Sequence, residues 1–349
     1  MEMELYDSAT LLGVVRSPDF GENVAFLRDR FYPLEQFSTD DKIYFDEIDD
    51  DRRLAPYVSP VHAGQVMEER GYDTRVFTPP YVKPKHVVDP NKQFKRRAGE
   101  DIGGNLSPME RRDLAIRQNL EEEDRAIQAR EEFQCSEGIR LGQVTVTGKG
   151  YGTVVLAFGR HSDLTVTLTS GDRWGETGVS PVSTLETWAR TLRARGKGAI
   201  ARDVILGHGA IRLLKDYLRE EEPDLMKALF DSLRGGQSQM ELGPRVAEKV
   251  KWEGQLGDFQ LWSYQDTYRD EDGQEQEMWP EYSVSLISSA MQGVRAYAAI
   301  RDPRAGLQSL RAYPKNWYEE DPPVEFTMTQ SAPLMVPLYP NATMGITVR

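Results

Sequence analysis

Apolar positions after residue 107 recur at helical spacing. Met109, Ile116, Leu120 and Ile127 stand seven and four residues apart and mark one face of a helix. Ahead of them, Ser107-Pro108-Met109-Glu110 reads as a start signal. A serine hydroxyl accepts from a free N–H of the first turn, a glutamate three residues on returns the bond, and proline at the first helical position needs no donor. The pattern predicts a helix from Ser107 to about Glu137, with Gly138 as its stop. Glu121 and Arg125 form an i,i+4 pair on another face. At 1.5 Å per residue this helix is about 45 Å long. It is a packing spine rather than a site.

Before the helix the periodicity fails. Residues 1 to about 50 carry a short amphipathic stretch near Leu11 to Arg16, then Phe20, Phe26, Phe31 and Tyr32 without a sustained period. Such an arm has little core of its own and would have to lie on something else, such as a neighbouring subunit. An acidic run follows: Asp40, Asp41, Asp46, Glu47, Asp49, Asp50 and Asp51. It reads as a solvated loop, with a metal site as the alternative, and the glycine and distal glutamate of a calcium-binding loop are missing. From 72 to 97, Pro79, Pro80, Pro84 and Pro90 push the chain to extended conformations. Alternation at Val76 and Thr78, and at Tyr81, Lys83 and Lys85, predicts a two-stranded arm with strands confined to edges. Lys83, Lys85, Lys92, Lys95, Arg96 and Arg97 stand there against one acid, Asp89. A thin basic arm of this kind is ordered by contact with other chains.

After the helix the period becomes two. Val144 and Val146 alternate, Gly148-Lys149-Gly150-Tyr151-Gly152 turns, Val154 to Phe158 follow, and Leu164, Val166 and Leu168 alternate again. Then a helix Pro181 to Arg195, a strand Asp203 to Leu206 and a helix Ile211 to Glu221 interleave. Residues 246 to 300 return to strands, with Asp270-Glu271-Asp272-Gly273 as a hairpin turn. Glu325 to Val348 is extended and broken by Pro333, Pro337 and Pro340. The fold class is α+β with a mixed α/β middle, and no solenoid or propeller repeat is present.

Composition narrows the function. The chain has 349 residues, of which 39% are hydrophobic and 28% charged, enough for a large core. A net charge of -13 repels nucleic acid and anionic membranes at long range. Sequence-specific DNA binding is not expected, although an acidic wall around packed DNA would avoid sticking to it. The lone Cys135 lies in the predicted helix among charged neighbours, excludes an internal disulfide and fits a reducing compartment. The N-terminus lacks the basic region of a secretory signal, and no apolar run approaches the roughly 20 residues of a membrane span. Without a signal, Asn105-Leu106-Ser107 and Asn341-Ala342-Thr343 are chance matches to a glycosylation pattern.

No enzyme signature stands out. The glycine-rich 148–152 segment is followed by a strand and lacks the lysine and Ser/Thr pair of a phosphate loop. His62, His86, His161 and His208 share no metal-ligand spacing, so neither a metal nor a cofactor is expected. Gly207-His208-Gly209 lies between a strand and a helix, where α/β folds place sites, but no serine nucleophile elbow accompanies it. It reads as a helix-entry turn. No pair of carboxylates is singled out by spacing.

Four segments resemble the lambda-type major capsid proteins of tailed bacteriophages. They are Tyr57-Val58-Ser59-Pro60, Phe77-Thr78-Pro79-Pro80-Tyr81-Val82-Lys83-Pro84-Lys85-His86, Ala312-Tyr313-Pro314-Lys315-Asn316-Trp317, and Glu325 to Met335. Pro80 departs from the residue usual in that family, and residues 145 to 290 match in general character alone. The resemblance implies the Hong Kong-type capsid fold. It implies an N-terminal arm (1–53), an extended loop region (54–105), a peripheral domain with a spine helix (106–145), an axial domain (146–305) and C-terminal strands returning to both (306–349). It also implies self-assembly into pentamers and hexamers of an icosahedral shell around double-stranded DNA. The implied partners are a scaffolding protein, a portal and a decoration protein.

Inter-subunit contacts are expected at the acidic Asp46, Glu47, Asp49 and Asp50 and the basic-aromatic Tyr81, Lys83, Lys85, Lys92, Lys95, Arg96 and Arg97. Some phages of this fold join a loop lysine to a neighbour's asparagine. Lys83, Lys85, Lys92, Asn316 and Asn341 are residues of the right type, but lambda-type shells rely on decoration instead. The alternative functions are a soluble hydrolase-like enzyme centred on Gly207-His208, or another phage head or tail structural protein. Tyr313 to Trp317 is expected to be a turn before the C-terminal strands.

Overall fold

The computed structural model describes residues 6–15, 25–48, 54–64, 66, 72–95, 106–235, 249–270, 273–321 and 323–349. Its helices are α1 (Ser8–Val15), α2 (Phe26–Phe31), α3 (Pro90–Gln93), α4 (Pro108–Leu141), α5 (Pro181–Arg195), α6 (His208–Glu220) and α7 (Pro223–Gly235). The strands before α5 are β1 (Leu34–Phe37), β2 (Ile43–Ile48), β3 (Tyr72–Phe77), β4 (Lys85–Val88), β5 (Gln143–Gly148), β6 (Tyr151–Ala157) and β7 (Thr165–Thr167). Next come β8 (Ala201–Leu206), β9 (Val250–Leu256), β10 (Phe259–Tyr264), β11 (Thr267–Arg269), β12 (Glu275–Glu277), β13 (Ser283–Ser288) and β14 (Gly293–Tyr297). The last four are β15 (Tyr313–Glu319), β16 (Val324–Gln330), β17 (Pro333–Pro337) and β18 (Thr343–Thr347).

The spine helix α4 begins as its sequence dictates. The Ser107 hydroxyl accepts from the Glu110 N–H at 3.2 Å, and the Glu110 carboxylate accepts from the Ser107 N–H at 2.7 Å. Its end lies beyond the expected stop. Gly138 is an interior helical residue, and the left-handed cap is Gly142, with φ 67°. The 34 residues extend about 51 Å at the standard rise. Ile116, Leu120 and Ile127 are buried, while Met109, in the first turn, is half-exposed.

Six strands form the largest sheet, in the order β7-β18-β13-β8-β10-β9. In β8 the run Val204-Ile205-Leu206 is buried without alternation. Both faces are covered, which explains a continuous apolar run. Val204 and Leu206 join a core with α5, α6 and α7 through Leu185, Leu192, Leu214 and Met226. Ile205 joins the opposite core with Phe26, Phe31, Cys135 and Trp262. The aromatics Phe26, Phe31 and Tyr32, expected to need another surface, are therefore core residues of this chain's own body; Phe20 lies outside the described residues.

The predicted two-stranded arm is paired differently. β3 pairs antiparallel with β2, Ile43 facing Phe77 and Ile48 facing Tyr72. β4 instead joins β16, which pairs with β15 in a three-stranded sheet. Pro79 and Pro80 are buried between the two strands, and Val82 bridges Ser331. Alternation identified strands but carries no information about distant ladder partners. Tyr313 to Trp317 is likewise strand rather than turn: β15 is a sheet edge, where Pro314 needs no ladder donor. A third sheet, β1-β14-β17, and the ribbons β5-β6 and β11-β12 complete the fold; the Gly273 N–H donates to the Asp270 carbonyl in the expected hairpin turn.

Candidate functional site

The β2-β3 ribbon carries a long excursion at its far end. Its base is fixed: Ile43 and Phe77 are buried with Val144, Phe158 and Leu334, and the Arg75 guanidinium donates to the Phe158 carbonyl. Between the strands, residues 54–64 and 66 are exposed throughout. Leu54 is 90% exposed, Tyr57 106%, Val61 86% and Val66 93%. The Tyr57-Val58-Ser59-Pro60 motif stands here, closed by a turn in which the His62 N–H donates to the Ser59 carbonyl at 2.9 Å. Four large apolar groups on one segment, uncovered by any of the described residues, form a candidate contact surface. Burying each is worth about 1.5–3 kcal/mol.

The second motif segment, Phe77 to His86, lies against the body instead of projecting. The Tyr81 hydroxyl donates to Gln330 Oε1 at 2.8 Å and accepts from the Arg301 N–H at 3.1 Å. The Lys83 ammonium stands 4.7 Å from the Tyr81 ring centre. Lys85 stands 3.6 Å from the Phe326 ring centre and 4.9 Å from that of Trp317. Those two rings stack at 5.4 Å across β15 and β16. Both lysines remain exposed at their heads, and Lys95 is exposed beyond α3, which contains Lys92.

Asp46 and Glu47 lie on β2 opposite Thr74 and Asp73. The ladder partners of the acidic strand are thus residues 72–77, not the basic tract. Asp49, Asp50, Arg96 and Arg97 lie outside the described residues. Asn316 is buried and donates to Glu325 Oε1 at 2.6 Å. Asn341 accepts from the His161 N–H at 2.7 Å.

A buried carboxylate clamp joins the arm to the spine, and sequence patterning did not reveal it. Glu132 accepts from the Leu27 and Arg28 N–H groups at 2.8 and 2.9 Å, and from the Tyr264 hydroxyl at 2.9 Å. Burial pushes Glu132 up to about 7, although these donors favour its charge. Its neighbour Glu131 accepts from the Arg28 guanidinium at 3.0 Å and from the Tyr297 hydroxyl at 3.1 Å. Further along α4, Arg112 makes a two-pronged bond to Glu325 at 2.6 and 2.7 Å. Glu123 accepts from the Thr327 and Thr329 hydroxyls of β16. Burial also pushes the Cys135 thiol far up, so this cysteine packs rather than reacts.

The Gly207-His208 turn has a steric reason. A side-chain carbon at Gly207 would come within 2.3 Å of the Pro280 carbonyl oxygen. The expected helix entry stands there, with α6 beginning at His208 rather than Ile211.

A spine helix, a ribbon thrown outward and a covered mixed sheet together define the tailed-phage capsid fold. The crystal structure of a prophage capsid protein from Escherichia coli CFT073 superposes with a TM-score of 0.77 at 23% identity, covering 99% of this chain and 100% of that one. The Phage major capsid protein E model matches residues 7–348. The chain is 31% identical to the major capsid protein of Escherichia phage lambda over 352 residues, covering 99% of each. It is 32% identical to the major capsid protein of Enterobacteria phage phi80 over 353 residues, with the same coverage. The chain belongs to the phage major capsid protein E family.

Proposed function

We propose that this chain is the shell-building subunit of a phage head, forming the pentamers and hexamers of an icosahedral capsid around double-stranded DNA. The observation that carries the reading is the apolar strip of Leu54, Tyr57, Val61 and Val66, which stands on a fixed base and is exposed among the described residues. Shells need many modest interfaces, each burying roughly 800 Å² per partner. A reaching segment adds such area without enlarging the core. The protein acts as structure and not as a catalyst, in the virion, after assembly in the host bacterial cytoplasm. A scaffolding protein guides assembly, a portal occupies one vertex and a decoration protein reinforces the expanded shell.

In this reading the parts divide as an arm (1–53), an extended loop region (54–105), a peripheral domain (106–145), an axial domain (146–305) and returning C-terminal strands (306–349). Membership of β15 and β16 in the sheet with β4, and of β18 in the six-stranded sheet, supports strands that return to both domains. The acidic run Asp46, Glu47, Asp49 and Asp50 pairs between subunits with Lys83, Lys85, Lys92, Lys95, Arg96 and Arg97, beside Tyr81. Each exposed pair contributes about 0–1 kcal/mol, so several together set register.

Expression of the full chain, with and without its phage's scaffolding protein, tests the proposal by negative-stain microscopy and sedimentation. Closed shells are expected. Small oligomers alone under both conditions overturn it. Reversing Lys95, Arg96 and Arg97 to glutamate is expected to lower shell yield; an unchanged yield removes the charge pairing. Expanded shells that keep the same mass and heat resistance with and without the small head proteins remove the decoration partner.

A further inference from the structure

The cations of this acidic chain are unevenly spread. Between Glu186 and Asp203 stand Arg190, Arg193, Arg195, Lys197 and Arg202, with no acid among them, on a chain of net charge -13. The stretch covers the second half of α5, the turn after it and the start of β8. All five side chains are exposed. Arg195 is held by Asp163 at 2.6 Å. Arg190, Arg193 and Arg202 have no ion-pair partner among the described residues. Glu186, four residues before Arg190, is exposed and not paired with it.

Helical geometry explains why these arginines face water. α5 packs into the core through Leu185, Trp188 and Leu192, which recur at three and four residues. Arg190 stands two residues from both Trp188 and Leu192, so it lies on the opposite side of the helix. Arg193 follows one turn later on the flank. In the next turn Lys197 sits between two glycines with φ 51°, a left-handed conformation that glycine adopts more cheaply. A cation is kept at the apex all the same.

Ordinary roles account for part of this cluster. Arg193 and Arg195 lie in the last turn of α5 and complement the negative end of its dipole. That role reaches neither Arg190, further back in the helix, nor Arg202, on a strand.

The surroundings select the kind of anion. An acidic peptide binds through a sheet edge, a groove or an apolar anchor. β8 is an inner strand with β13 and β10 on its two sides, so it offers no edge. From Glu186 to Asp203, all described residues, Ile200 is the one large apolar side chain left exposed. Trp188 is buried, so no aromatic ring is presented for stacking on single-stranded bases. What remains is a convex surface with spaced cations, four of the five being arginine, whose guanidinium fork matches phosphate oxygens. Contacts of that kind suffice for a duplex backbone and carry no base sequence.

We propose that this patch is a seat for the phosphate backbone of the duplex DNA that the shell encloses. The presence of DNA at this face rests on the shell reading; the affinity of the patch for duplex does not. Elsewhere the chain is acidic and repels the duplex, so the wall touches DNA at one point per subunit and stays off the remainder. Each contact is weak, and many copies on one wall add up.

Fluorescence anisotropy of a labelled duplex of random sequence with the unassembled full chain, between about 50 and about 200 mM salt, tests this. Three phosphate contacts imply a slope of about -2.7 in log affinity against log salt. The variant Arg190→Gln/Arg193→Gln/Arg202→Gln is expected to keep its unfolding midpoint, to flatten that slope and to weaken binding about tenfold or more at about 50 mM salt. Arg212→Gln/Arg219→Gln/Lys227→Gln removes the same charge from α6 and α7 and is expected to weaken binding far less. An equal loss in both variants overturns the seat, because net charge alone then governs binding. Polyglutamate of equal charge, bound as tightly as duplex through the same arginines, overturns it in favour of an acidic protein. Closed empty shells are expected not to bind added duplex; binding as strong as that of subunits puts the patch outside and overturns its role toward enclosed DNA. Duplex binding through these arginines by a chain that forms no shells under any condition supports the patch and removes the shell reading instead.

Discussion

The Tyr32 hydroxyl lies 2.8 Å from the point where a side-chain carbon on Gly138 would stand. This contact accounts for a glycine in the last turn of α4. Helix propensity favours alanine over glycine by about 1 kcal/mol, but overpacking a buried site costs about 1–3 kcal/mol. Gly138→Ala is therefore expected to lower stability in urea unfolding. Tyr32→Phe removes a hydroxyl that has no hydrogen-bond partner among the described residues. That change is expected to be neutral or slightly stabilising, and to relieve part of the Gly138→Ala defect. A stabilised Gly138→Ala single variant contradicts the steric account.

Arg112 and Glu325 are both buried, and Asn316 completes the carboxylate's bonds. Arg112→Ala leaves a buried charge without its partner, at a cost of about 3–5 kcal/mol. Replacing both by apolar groups, as in Arg112→Met/Glu325→Leu, is expected to cost much less. Equilibrium unfolding of the two variants decides it: equal losses mean that the pair itself, rather than the orphaned charge, carries the effect.

Glu132 predicts a pH dependence with a definite sign. Its folded value of about 7 stands above the ordinary 4.5. The folded state then holds the proton more tightly than the unfolded chain. The associated stability is fully present below the ordinary value and is lost as pH rises through about 7. Glu123 and Glu137, also raised by burial, act in the same direction. A shift of this size corresponds to on the order of 3 kcal/mol. Glu132→Gln is expected to flatten the decline in stability between about pH 5 and about pH 8. An unchanged slope in urea unfolding across that window removes Glu132 as the cause.

The strip on the ribbon separates folding from assembly. Leu54→Ser, Tyr57→Ser and Val61→Ser together are expected to leave the subunit's unfolding midpoint nearly unchanged, within about 0.5 kcal/mol for each surface site. Shell formation, followed by sedimentation, is expected to fail. A triple variant that both folds and assembles normally would contradict a contact role for the strip.

Much of the candidate surface was legible. Prolines and alternation marked residues 72 to 97 as extended, which holds for Tyr72–Phe77 and Lys85–Val88 but not for the short helix Pro90–Gln93, and the four motif segments indicated the family. Which part projects was not legible. Phe77 to His86 looked too thin to have a core, yet Val82 is bridged to Ser331 and the Lys85–Val88 strand to residues 325–328. Those partners lie more than two hundred residues away in the chain. The clamp was hidden for a related reason. Nothing local in the sequence marks Glu131 and Glu132 as buried; α2, Tyr264 and Tyr297 supply their partners from distant segments.

The sequence by itself determined the start of α4, through the Ser107 and Glu110 cap, and the α+β class, through the change of period from near four to two. These are local properties, decided by neighbours within a few residues. Tertiary structure decided that α4 runs past Gly138 to Gly142, that Tyr313 to Trp317 is an edge strand, and that Glu132 is buried. Each depends on what a distant segment places against the residue: Arg160 on the Ile139 and Arg140 carbonyls at the end of α4, β16 on β15, and α2 on Glu132. Packing and desolvation act across space, and one chain's residue order does not state its contacts.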